Sequence, residues 1–251
     1  MTDQPGRGRM RRGIRILLIL VVVLGGLFVA ADRLAVSYAE SQAADKIQSA
    51  KGLTDRPSVS IKGFPFLTQV VARDLNEVTV TVDNVTASTG GVSTDGSDPL
   101  HVARFTADLH NVRINGNFSS AVADTATGTA LIPYSEVTKL AAGQLSGAVS
   151  NVAVGYGGTT SSGQGQVKIS GSVQVPFLGS QQVSGEAPVD IRNGNSLALS
   201  LPYGVGRLIG GQTGMSWPLT GLPSGITLSG VQATPQGLQV SLSGNNVQLT
   251  G

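Results

Sequence analysis

The sequence predicts an α+β chain: a membrane-spanning segment, a long amphipathic helix, and a mainly antiparallel β-sheet packed against that helix. Three observations predict it. An apolar run stands directly behind a cluster of arginines, a small-residue amphipathic stretch follows the run, and beyond Pro57 the apolar spacing drops from a helical period to two.

The first element is the stretch RGRMRRGIRILLILVVVLGGLFVAADR. Its run from 14 to 31 carries one charge, Arg15, and approaches the length needed to cross a bilayer. Arg7, Arg9, Arg11, Arg12 and Arg15 face only Asp3 in the first 31 residues. Cationic flanks stay on the cytoplasmic side, so the expected organisation is a cytoplasmic basic tail (1–13), a transmembrane segment (14–31) and an extracytoplasmic domain (32–251). Two readings stand at this point: a retained anchor, or a signal peptide cleaved near Val29-Ala30-Ala31, which would leave a secreted protein. The chain has no cysteine, which excludes a lipid-modified cysteine, disulfides, thiolate metal sites and thiol catalysis.

The same arginines explain the isoelectric point of about 9.1. Without the first 31 residues, 12 basic and 14 acidic residues remain, so no basic nucleic-acid footprint is left.

Residues 33–51, RLAVSYAESQAADKIQSAK, form the second element. Leu34, Tyr38 and Ile47, with Ala35, Ala39, Ala43 and Ala50, are assigned to one helical face, suited to close packing on a sheet. A break is expected near Gly52.

Period-two patterns follow in VSIKGF, VTVTVDNVTAS and HVARFTADLHNVRI. In the second, Val78, Val80 and Val82 point one way and Thr79, Thr81 and Asp83 the other, as in an antiparallel sheet with one dry face. A turn cluster at 90–99 joins two of these strands. Pro133 opens a short helix over Glu136–Leu140 that is expected to close near Gly143. Strands resume in SNVAVGYGG, GQVKISGSVQV, QQVSGEAPVDIRNG and NSLALSL, and Pro235-Gln236-Gly237 supplies the turn of a final hairpin. The segments GFPFLTQ and VPFLGSQ occupy comparable places after strands, which hints at two related sheet halves.

Chemistry finds little material here. GQLSG and GLPSG lack the nucleophile-elbow spacing, and YGVGRLIGG has neither the glycine spacing nor the βαβ context of a phosphate loop. His101 and His110, nine apart on a strand, fall on opposite faces and make no metal site. The reading is a non-enzymatic protein without a cofactor.

What remains is apolar. The chain has only 11 aromatic residues, yet it places Phe64, Phe66 and Leu67, Phe177 and Leu178, then Leu208, Ile209, Met215 and Trp217, beside prolines that cannot join a ladder. With Leu34 and Tyr38 these are the expected walls of an apolar cleft between sheet and helix. Arg73, Arg113 and Arg207 are the candidates for meeting lipid head groups.

The blocks RPSVSIKGFPFLTQVVARDLNEVTVTVDNV, TATGTALIPYSEVTKL and LPSGITLSGVQATPQGLQVSLSGNNVQL together resemble the LmeA family of actinobacterial phospholipid-binding envelope proteins. The resemblance implies a domain similar to tubular lipid-binding proteins, with a curved antiparallel sheet wrapping a long helix around lipid tails. It also implies phospholipid ligands, including phosphatidylinositol types, a role in cell-envelope lipid or lipoglycan assembly, and no catalytic motif. The expected function is a membrane-tethered, extracytoplasmic phospholipid-binding or lipid-transfer protein. The alternative is a structural or adaptor domain whose sheet binds another envelope protein.

Overall fold

The computed structural model describes residues 7–250 apart from 88–99, 117–119, 146, 162, 176, 202–205, 207–212, 220–221 and 223. The predicted loop at 90–99 and the candidates Arg207, Leu208 and Ile209 lie outside the described residues.

Helix α1 (Arg7–Lys51) is continuous over 45 residues, about 68 Å at 1.5 Å per residue. It unites the apolar run and the amphipathic stretch. It ends as expected: Gly52 takes a left-handed φ of 61°, and the Leu53 N–H donates to the Gln48 carbonyl at 3.0 Å, the hydrogen bond of a glycine C-cap.

Among the described residues, eleven strands form two antiparallel sheets. The first contains β1 (Ser58–Lys62), β2 (Asp74–Ala87), β3 (Leu100–Ile114), β4 (Ser120–Ile132), β10 (Ile226–Thr234) and β11 (Gly237–Thr250), in the order β1-β2-β3-β4-β11-β10. The second runs β5 (Ser150–Thr159), β6 (Gly165–Val175), β7 (Gly179–Arg192), β8 (Ser196–Ser200) and β9 (Gly214–Pro218) in sequence order. The expected hairpin is present: Thr234 pairs with Gly237 across the turn at 235–236.

One face of the first sheet is polar and cross-linked. The Thr79 hydroxyl donates to Asp108 at 2.6 Å, and Arg104 pairs with Asp83 at 2.7 Å. The other face carries Val78, Val82, Phe105, Leu109, Ala126 and Leu242 and faces the core or a groove. Besides a register shift between Leu228 and Gly230 in β10, the strict alternation read from the sequence breaks at three asparagines of this sheet. Asn84, Asn111 and Asn246 have left-handed φ of 52°, 49° and 51°, and each is skipped in the pairing while the register on either side of it is unchanged. After each one the apolar face resumes one residue out of phase. Leu109 and Val112 therefore share a face despite their odd spacing. Asparagine is the common non-glycine residue for this conformation.

Two clusters hold the chain together. One joins Val36 of α1 and Phe66 to Leu75, Leu109, Val112, Ala123 and Val247 of the first sheet. The other lies between the second sheet, α3 (Tyr134–Leu145) and the Leu100, Ile132 and Leu238 region of the first sheet. Strand β10 bridges the sheets. A Cβ on Gly165 would stand 2.3 Å from the Ala233 carbonyl oxygen, so only glycine permits this approach.

Helix α3 extends beyond the sequence expectation. It continues through Gly143 to Leu145 because Leu145 is buried in the second cluster, and the left-handed exit falls at Gly147, φ 86°. Glu136 fastens its first turn. Its carboxylate accepts the His101 backbone N–H at 3.2 Å and pairs with Lys139 at 2.6 Å. Burial raises the Glu136 pKa, but these partners outweigh it and hold the group below its ordinary value.

The two PFL segments both connect neighbouring strands, yet in different ways. GFPFLTQ becomes α2 (Phe66–Ala72) between β1 and β2, whereas Phe177 and Leu178 lie in the turn between β6 and β7, with Phe177 at a φ of 69°. Similar words serve as a helix entrance and as a hairpin tip.

Candidate apolar groove and its anchoring segment

A groove of about 770 Å³ opens between the last turns of α1 and the apolar face of the first sheet. Ala43, Ile47 and Ala50 line it from the helix; Val59, Ile61, Leu75, Val78, Val80, Leu109, Val112, Ile114, Ala121 and Leu249 line it from five strands, and Leu222 adds a loop residue. The small helix residues explain the space. On β1 and β2 valine and isoleucine stand off the sheet, while three of the opposing helix positions are alanine or a single isoleucine. Its volume lies within the ~300–1,000 Å³ common for ligand sites.

Among the described residues no carboxylate lines the groove. Its polar members are Lys46, Lys51, Ser120, Ser224 and Gln248. Asp45, beside Lys46 in sequence, is taken by Arg56 at 2.7 Å, and Glu40 accepts the Ile61 N–H at 2.7 Å. Among the described residues no ion pair engages Lys46 or Lys51. The groove edge is therefore cationic.

At the other end of the domain helix, Asp32 anchors the GFPFLTQ segment. Its side chain is fully buried, and its carboxylate accepts the Leu67 N–H at 2.9 Å together with the Phe66 N–H. Helix α2 begins after Pro65 with no side-chain cap of its own, so Asp32 satisfies two of the first-turn N–H groups from a distant part of the chain. Arg33 completes the arrangement. Its guanidinium meets Asp32 at 2.8 Å and lies 5.2 Å from the Phe64 ring centre. Desolvation raises the Asp32 pKa, but the two N–H donors and Arg33 outweigh it and leave it lowered.

The residues singled out in the sequence are scattered. Phe66 is buried and Leu67 half-buried in the cluster beside the groove, sharing contacts with Leu75, Leu109 and Val112 that also wall it. Phe64 is exposed beside Arg33. Phe177 and Leu178 are exposed at the β6–β7 turn. Met215 and Trp217 are buried in the second cluster, where the void beside Trp217 measures about 10 Å³, no larger than one water. Of the described residues in the predicted cleft set, none lines the groove.

The helix face needs one correction. Leu34 and Tyr38 do not share the sheet-facing stripe: they are 73% and 69% exposed. At 100° per residue, Asp32, Val36, Ala39, Ala43, Ile47 and Ala50 cluster within about 60° of Val36, while Leu34 and Tyr38 fall about 160° away. Among the head-group candidates, Arg113 pairs with Asp124 on the polar face, and Arg73 closes α2 in a left-handed conformation at φ 57°. The missed lysines carried a weak signal: Lys46 and Lys51 flank the Ala-Ile-Ala stripe.

Fold and groove together describe an α+β domain with an apolar groove open between its long helix and its first sheet. The chain belongs to the LmeA-like phospholipid-binding family, whose match covers residues 30–243. Comparison with curated proteins and with solved structures gave no match. The family supports a phospholipid-binding role of a non-enzymatic kind. The N-terminal helix is long and apolar enough to cross a membrane, with none of its apolar window buried, as an anchor or a signal sequence would be.

Proposed function

We propose that this protein is a membrane-tethered extracytoplasmic phospholipid carrier in which the α1–sheet groove takes an acyl chain. The groove itself, apolar on helix and sheet and edged by two unpaired lysines in a chain of this family, supports the reading most directly. Each buried methylene contributes roughly 0.8 kcal/mol, so about ten give ~8 kcal/mol before ordering costs. Lys46 and Lys51 are positioned to meet the phosphate while the tail lies between Ile47 and the sheet. The five arginines before the apolar run favour a cytoplasmic amino terminus, with the groove outside the cell and a role in envelope lipid assembly.

The test is lipid extraction and mass spectrometry of the purified full chain, followed by uptake of labelled phosphatidylinositol and phosphatidylcholine. Co-purified phospholipid that Ile47→Trp displaces supports the reading. A protein free of lipid that also fails to take up either label overturns it. One observation favours a second reading, an adaptor for another envelope protein: Phe177 and Leu178 stand exposed together at a hairpin tip.

A further inference from the structure

We infer that α2 and the Phe64 loop form a lip that rests in the head-group layer of the same bilayer that holds α1. The inference rests on the reading that the apolar run stays in the membrane, and it adds a second, separate contact surface. Eighteen residues from 14 to 31 span about 27 Å as a helix, close to the ~30 Å of a hydrocarbon core. Asp32 therefore stands at the outer boundary of the core. The segment it binds is fixed at the same level, because its carboxylate holds the first amides of α2 and Arg33 covers Phe64.

The side chains at that level suit lipid rather than water. Phe64 is 57% exposed and Val71, on α2, is 86% exposed. Both stand next to a cation, Phe64 beside Arg33 and Val71 two residues before Arg73. Leu34 lies about 4.5 Å beyond Ala31 along the helix, within a head-group layer of roughly 5–7 Å, and Tyr38, at about 10 Å, stands just past it. Aromatic and apolar residues with cationic neighbours concentrate at that depth, and Arg33 and Arg73 bracket the lip on either side of α2. The juxtaposition places the domain flush against its own membrane instead of free on a stalk. The groove residues Ala43 to Lys51 then sit about 18–30 Å along the helix from the boundary.

The absence of cysteine allows a clean test. Full-length chains carrying Val71→Cys or, as control, Gln182→Cys on β7 are labelled with an environment-sensitive fluorophore and reconstituted in phosphatidylcholine–phosphatidylglycerol vesicles. The inference expects a blue-shifted label at 71, quenched by lipids bearing a shallow nitroxide and shielded from aqueous iodide, with a water-like label at 182. A label at 71 as open to iodide as the one at 182, in a chain with unchanged circular dichroism, overturns it. The mass of protein extracted from native membranes tests the anchor separately: loss of residues before 32 removes the anchor reading and the lip with it, whereas an intact amino terminus with an iodide-exposed label at 71 overturns the lip alone. Lipid content in the groove is unaffected by either label, so a failure of the carrier reading is distinguishable from a failure of the lip.

Discussion

The Asp32 carboxylate accepts the Leu67 backbone N–H at 2.9 Å, joining residues 35 positions apart in sequence. This contact couples the base of the domain helix to the helix that follows β1, and it depends on charge. The folded Asp32 pKa lies below its ordinary value. A depressed carboxylate contributes stability that is present above the unfolded pKa near 3.9 and is lost as pH falls through the lower folded value. The α2 amides are therefore expected to lose hydrogen-exchange protection on acidification in that window. Asp32→Asn, which removes the charge and sets an amide donor against the Arg33 guanidinium that now meets the second carboxylate oxygen, is expected to raise α2 exchange roughly tenfold at neutral pH. Unchanged protection in Asp32→Asn would contradict the anchoring role.

Filling the groove separates binding from folding. Ile47→Trp adds bulk into open space, so the melting temperature is expected to change little, while retained phospholipid falls by about tenfold or more. Phe66→Ala makes the complementary case. It removes a buried ring packed on residues that also wall the groove, with an expected loss of about 3–5 kcal/mol in denaturant unfolding.

Lys46 and Lys51 carry the groove's charge. Their joint replacement by glutamate is expected to reduce uptake of anionic phospholipid several-fold, with little effect on zwitterionic lipid at high salt, because exposed charge interactions are screened. Uptake measured against ionic strength checks this. Equal loss for both lipid types would point to a damaged groove instead.

Tyr134 reports on the opposite end of the molecule. Its hydroxyl donates to the Thr234 carbonyl at 2.7 Å, and burial, followed by Tyr156, pushes its pKa up to about 12. The unfolded chain ionises near 10, so stability is fully present below that pH and is lost as pH rises toward 12. Ultraviolet titration is expected to show a late-ionising tyrosine that disappears in Tyr134→Phe, a variant that costs about 1 kcal/mol through the lost hydrogen bond.

Local signals in the sequence carried the fold well. The end of α1 at Gly52, the alternation in β2 and the turn at 235–236 follow from nearest neighbours, and the structure places each there. The groove was less legible because it depends on which helix face meets the sheet. Leu34 and Tyr38 look like the natural anchors of an apolar face, but the buried stripe is set by Asp32 and Val36, and an aspartate rarely announces a buried face. The PFL repeats misdirected for a related reason. The large aromatics went to core packing, as Trp217 does, or to a turn, as Phe177 does, whereas the groove is lined by alanine, valine, isoleucine and leucine that read as ordinary helix and strand.

One signal lay in the text and predicts a further experiment. The dipeptide Asn-Val occurs at 84–85, 111–112, 151–152 and 246–247, and each asparagine has a left-handed φ within a strand. A residue in that conformation shifts the alternation by one and lets the following valine rejoin the apolar face, as Val112 does after Leu109. A β-branched residue resists left-handed φ, at a cost of about 1–2 kcal/mol. Asn111→Val is therefore expected to lower denaturant stability by that amount, and Asn111→Gly to leave it nearly unchanged. Because Leu109 and Val112 both wall the groove, a strand that escapes the strain by slipping its register would turn one of them outward. Asn111→Val is then expected to lose retained lipid where Asn111→Gly does not. Equal stability and equal lipid content in the two variants would show that the left-handed asparagine is not what shapes the groove wall.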